Sequence, residues 1–167
     1  MSRHSETGIS RPAVGPRAVG GGQPLKRIFV PVDAFGQADR ALGLAARFGA
    51  ASGGQLRVVH VRMWDPPAKG GWGRFYYETS EQATAVLDKA LTSVWAYGVP
   101  ASGVVVDAVR AQVACVIVAE AHSWGAEVVV VARRPRTAIG VLLLGSLSDQ
   151  LMRKAGCPVL VIHQGRR

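Results

Sequence analysis

Three groups of residues in this chain have the types and spacing to do chemistry on a phosphate-bearing ligand. Asp33 closes the short apolar run Ile28-Phe29-Val30-Pro31-Val32. Arg133, Arg134 and Arg136 follow a second apolar run, Val128 to Val131, and Gly145-Ser146 then opens a helical segment. Free backbone N–H groups at a helix N-terminus and guanidinium forks both bind phosphate oxygens. An Asp at a strand end either accepts hydrogen bonds from a ribose or base, or turns the chain by an Asx-type bond. The arginines likewise have two readings, gripping an anion or facing water as long cations usually do.

Such residues work together only if strands and helices bring them to one edge. The apolar runs are short and alternate with helical patterns. Strands are expected at 28–32, 56–61, 104–109, 128–131 and 158–162. Between the first two, Ala38, Ala41, Leu42, Ala45 and Phe48 fall at helical spacing, with Gly53-Gly54 as the stop. Thr79 or Ser80 caps a helix whose stripe is Ala83, Val86, Leu87, Ala90, Leu91 and Val94, ended by Gly98 and Pro100. Residues 112–124 fit strand or helix by pattern; a helix is required if the flanking strands are to run parallel. A last helix spans about Ser146 to Ala155, before Gly156. Five buried strands separated by helices predict a doubly wound α/β domain, a parallel sheet with helices on both faces. Ligands bind such sheets outside the strand C-termini, where the winding reverses.

Pro31-Val32-Asp33, His60-Val61, Gly145-Ser146 and the run Ala-Gly-Cys-Pro-Val-Leu-Val-Ile at 155–162 occur in an order and spacing that resemble the universal stress protein family, over Lys26 to His163. The resemblance implies a five-stranded sheet in the order 3-2-1-4-5, an adenine nucleotide alpha hydrolase-like fold, and a homodimer formed through the last strand. It implies no catalysis but a stress-response or regulatory module. In members that bind ATP, an Asp after strand one, a Val after strand two and a loop G-x-x-G-x9-G-[ST] hold the ligand. Carried onto this chain, Asp33 with Pro31 beside it, Val61, and Gly145 with Ser146 match. Ala132 and Pro135 stand in place of the first two loop glycines. Glycine lets N–H groups approach phosphate without a Cβ; Ala keeps its N–H, but Pro has none to give. The loop is therefore read as degenerate, with ATP binding weakened or lost and no cofactor assigned. The alternative is a binder of nucleotides or other anions that uses Arg133, Arg134 and Arg136 in place of the glycines.

Composition bounds the rest. A chain of 167 residues with 49% hydrophobic and 19% charged residues suits one domain, taken as residues 25–167. Residues 1–24, rich in Gly and Pro, read as a flexible arm, either a plain tail or a basic tether. The net charge of +9 lies mostly outside that arm. It fits anionic partners, yet no nucleic-acid motif accompanies it, so a nucleic-acid role is not expected. No apolar run approaches the ~20 residues that span a bilayer, and no secretory segment is seen, which points to the cytoplasm. Cys115 and Cys157 read as small core hydrophobes in a reducing compartment. His60, His122 and His163 lack metal-ligand spacing. Trp64, Trp72, Phe75, Tyr76 and Tyr77, set among glycines, either form a lid or interface anchor or, as such rings more often do, pack over a neighbouring helix.

Overall fold

The computed structural model describes residues 24–34, 38–67, 71–133 and 147–163. In chain order these form β1 (Arg27–Val32), α1 (Asp39–Ser52), β2 (Gln55–Asp65), β3 (Phe75–Tyr76), α2 (Ser80–Trp95), β4 (Ala101–Val109), a 3-10 turn (Arg110–Gln112), α3 (Val113–Trp124), β5 (Val128–Arg133), α4 (Leu147–Lys154) and β6 (Val159–His163). The five longer strands run parallel in the order β4-β2-β1-β5-β6. This is the doubly wound α/β arrangement, with winding that reverses between β1 and β5.

Burial on both faces explains the unbroken apolar runs of the central strands. Ile28, Val30 and Val32 of β1 join Leu56 and Val58 of β2 beneath α1 and α2. Phe29, Val59, Val129 and Val131 pack on the other face with Ala114, Ile117 and Ala121 of α3 and Leu151 of α4. Fully removing a side chain such as Ile28 or Phe29 from water is worth about 1.5–3 kcal/mol. Helix ends follow local signals. Thr79 caps α2 in a reciprocal capping box with Gln82, while Gly53 (φ 61°) and Gly125 (φ 72°) take the left-handed conformation that ends α1 and α3.

Several expectations need correction. Among the described residues the sheet has six strands, because the two-residue β3 pairs antiparallel with the end of β2. β2 continues four residues past Val61 to Asp65, held by β4 on one edge through Trp64↔Val109 and by β3 on the other. Phe48 is 40% exposed and lies outside the α1 stripe, where Ala46 and Gly49 are buried instead. Cys115 is exposed and so is no core hydrophobe, while Cys157 is half-buried and packs against the core on the α3 side. The first 23 residues lie outside the described part of the chain, and the arm reading with them.

Candidate functional site

Pro31 shapes the crevice at the strand C-termini. Along β1 the backbone alternates its partners: the Lys26 carbonyl accepts from Gln55 beside β2, and the Arg27 carbonyl accepts from Glu127 beside β5. Pro31 therefore turns its backbone toward β5, where it has no N–H to donate. The β1–β5 ladder accordingly consists of Ile28↔Val128 and Phe29↔Val129, whereas β1–β2 pairing continues to Val32↔His60. The two central strands part at the topological switch point, on the edge where α/β sheets bind ligands.

Asp33 follows directly and is half-buried. With Ala34, Ala38, Asp39 and Lys89 it lines a small cleft of about 50 Å³ at the starts of α1 and the middle of α2. Val61, 7% exposed, is one residue beyond the end of the β1–β2 ladder and packs on the α3 side. Ala132 and Arg133 end β5 half-buried, with Arg133 level with His163 of β6. Arg40 of α1 reaches the same edge and donates to the His163 carbonyl at 3.2 Å. Pro31, Asp33, Val61, Ala132 and Arg133 thus share the C-terminal edge of three adjacent strands. Arg134, Pro135, Arg136, Gly145 and Ser146 lie outside the described residues.

Beyond that edge β2, β3 and β4 rise as a small sheet whose faces are covered by cations and rings. On the α2 side, Arg62 holds Asp107 with two 2.7 Å bonds and stacks on Tyr76 at 4.3 Å; the Tyr76 hydroxyl donates to Asp107 at 3.1 Å, and Arg74 stacks on Trp64 at 4.6 Å. On the other side, Tyr77 donates to Asp65, which Arg110 approaches at 3.2 Å, and Phe75 meets Tyr77 edge-on. The Arg62 bonds hold the Asp107 carboxyl below the ordinary carboxylate range, and Asp107 in turn raises Arg62. The bond to Asp65 raises the Tyr77 phenol. These aromatics do not pack over a helix, as expected from sequence: Trp72 is 99% exposed, Phe75 64% and Tyr77 47%. The reason is the extra length of β2, which carries them past the ends of the helices.

Arg62, Tyr76, Tyr77, Glu78, Thr79, Ser80 and Gln82 line an open depression of about 420 Å³ beside this wall. Arg62, Glu78, Lys89, Arg40 and Asp107 were not identifiable as neighbours of the crevice from sequence, since their partners are distant in the chain and no periodicity marks them. His60 is buried, with Nε2 2.8 Å from Glu78 Oε1. Among the described residues, no group of three His, Cys, Asp or Glu side chains is placed to hold a metal ion.

The model of the universal stress protein family matches residues 24–163. The chain belongs to this family. A universal stress protein of Methanocaldococcus jannaschii is 25% identical over 150 residues, covering 85% of this chain and 84% of its own length. Among solved structures, a universal stress protein in complex with cAMP superimposes with a TM-score of 0.64 at 21% identity, covering 85% of this chain and 99% of that one. The universal stress protein of Archaeoglobus fulgidus in complex with dAMP gives 0.61 at 23% identity, covering 83% and 98%. The described residues include no helix long and apolar enough to cross a membrane.

Proposed function

We propose that this universal stress protein is a non-catalytic regulatory module that takes an adenine nucleotide at the strand C-termini and holds its phosphates weakly. The observation that carries this is the parting of β1 from β5 at Pro31, with Asp33 and Val61 on one side and Ala132 and Arg133 on the other. The adenine nucleotides in the solved relatives support the ligand class. The weakness is argued from sequence: Pro135 removes one phosphate donor, and losing a charge-assisted hydrogen bond costs about ten- to a hundredfold in affinity. Such a module works in the cytoplasm, as a homodimer through β6, which among the described residues is the last strand of the sheet and whose 36% exposed Leu160 supports that contact.

Calorimetric titration with AMP and with Mg-ATP tests the reading. AMP is expected to bind, Asp33→Ala to abolish that binding, and ATP to bind no more tightly than AMP. ATP binding a hundredfold tighter than AMP would refute the weakened loop, and absence of binding by either would refute the nucleotide site.

A second reading has Arg133, Arg134 and Arg136 replace the glycine N–H groups, favoured by the place of Arg133 at the end of β5 on the crevice edge. In that case ATP binds more tightly than AMP, and replacing all three arginines by Ala removes the difference.

A further inference from the structure

Arg40 is the second residue of α1, a helix that packs on β1 and β5. Its guanidinium reaches past β5 to the last residue of β6, where Nη1 donates to the His163 carbonyl at 3.2 Å. His163 stands level with Arg133 in the β5–β6 register. Ala132 packs on the α1 side of the sheet, and Val131 on the side of α3 and α4. Since side chains alternate along a strand, Arg133 shares the Val131 face. Arg40 and Arg133 therefore bracket the end of β5 from opposite faces of the sheet.

Neither cation is neutralised. In the upper sheet Arg62 is paired with Asp107 and Arg110 with Asp65. Among the described residues, Arg40 and Arg133 form no ion pair, although Arg133 is half-buried. Two guanidinium groups held at one strand end without a counter-charge make a positive potential that an anion relieves. The His163 carbonyl takes a single donor of the Arg40 fork, so it fixes the group in place and leaves the other N–H groups to a ligand.

The β1–β5 register, carried from Phe29↔Val129 to the strand ends, sets Asp33 level with Arg133 on neighbouring strands, which lie about 5 Å apart where they pair. Asp33 and Asp39 line the cleft between α1 and α2, so carboxylates and arginines occupy neighbouring halves of one edge. That separation suits a ligand with hydroxyls at one end and a phosphoryl group at the other. We infer that Arg40 and Arg133 form a clamp for a single phosphoryl group, the one nearest the ribose, and so bias the site toward nucleoside monophosphates. The nucleoside part of this rests on the proposed function; the anion part stands on the two arginines.

Two kinds of ligand separate the clamp from the nucleotide reading. Inorganic phosphate, followed through the arginine Nε–Hε signals of the nitrogen-15-labelled full chain at low salt, probes the cations alone. Calorimetry with AMP and with adenosine probes them on a nucleoside. Phosphate is expected to shift Arg40 and Arg133 together, to bind more weakly as salt is raised, and to leave Arg47, exposed further along α1, unmoved. Arg40→Gln and Arg133→Gln are each expected to lower AMP affinity about tenfold with adenosine unchanged. Arg40→Lys, which keeps the charge without the fork, is expected to recover part of that loss. Phosphate shifts of this pattern without binding of AMP or adenosine leave the phosphoryl clamp standing and remove the nucleotide. An unmoved Arg40 or Arg133 signal overturns the clamp, and so does an equal shift of Arg47, which marks an adventitious ion only. An AMP-to-adenosine ratio unchanged in Arg40→Gln also overturns it, since Arg40 then merely ties α1 to β6. The wild-type phosphate shifts decide the matter alone if the variants do not fold.

Discussion

Arg62 and Asp107 stand opposite one another in the β2–β4 register and join through two parallel hydrogen bonds, Nε to Oδ1 and Nη2 to Oδ2, each 2.7 Å long. A planar fork on a carboxylate fixes orientation as well as distance. It braces the part of β2 that rises beyond β1, on the face opposite Met63 and Ala108, which pack on the α3 side.

That pairing gives the upper sheet an acid dependence. Arg62 depresses the Asp107 carboxyl in the folded protein. The stabilisation is therefore fully present above the unfolded value of about 3.9 and is lost as pH falls through the lower folded value. Asp107→Asn is expected to unfold at lower urea than the parent at neutral pH, with the gap closing as both are taken into strong acid. Urea midpoints across pH measure this, and a gap that widens in acid would contradict it.

Thr79 supplies the oxygen that accepts from the Gln82 N–H at 3.2 Å, while the Gln82 side chain accepts from the Thr79 N–H at 2.8 Å. Thr79→Ala removes half of that exchange. Equilibrium unfolding is expected to show a loss of about 1 kcal/mol.

Gly49 lies where α1 presses on the sheet. A Cβ there would stand 2.8 Å from Leu56 Cδ1 and 2.9 Å from Val99 Cγ1, both on buried side chains. In an open helix Gly→Ala stabilises by roughly 0.5–1 kcal/mol, but overpacking costs about 1–3 kcal/mol. Gly49→Ala is therefore expected to lower stability. A stabilised variant would show that Leu56 and Val99 give way freely.

The cysteines should separate by reactivity. Cys115 is exposed with Lys154 Nζ 3.1 Å from its sulfur, while burial pushes the Cys157 thiol up. With a water-soluble disulfide reagent at neutral pH, Cys115 is expected to react first and Cys157 about tenfold more slowly. Mass spectrometry of the partly modified chain identifies the order.

Pro135 offers a test of the phosphate loop through sequence alone. Pro135→Gly restores both a donor and a free φ. Mg-ATP is expected to bind about tenfold more tightly to the variant, with adenosine unaffected. Equal gains for both ligands would place the effect away from the phosphates.

Much of the architecture was legible because local patterns and burial agree. Ile28 to Val32 and Val128 to Val131 read as buried strands since both faces are covered, and the Thr79 cap and the Gly53 stop act within a few residues. Residues 112–124 needed a topological argument, and the helix it required is there as α3 after a short 3-10 turn. The crevice edge was legible from the reversal of winding expected between the strands, but the parting of β1 from β5 at Pro31 was not, because a missing N–H matters only once the strand's partners are known. Phe48 misled because helical spacing does not say how far a stripe stays under cover.

The sequence by itself determined the order of strands and helices, the family, and the edge at which Asp33, Val61 and Arg133 gather, since these follow from apolar periodicity, backbone chemistry and motif spacing. Only the tertiary structure decided that β2 outruns β1, that arginines cover the rings of residues 64–77, and that His60 meets both Val32 and Glu78. Those ring and His60 contacts join residues 10 to 28 positions apart. Apolar periodicity carries no signal of them, and they exist because β1 pairs parallel with β2 while β3 folds back antiparallel on the end of β2.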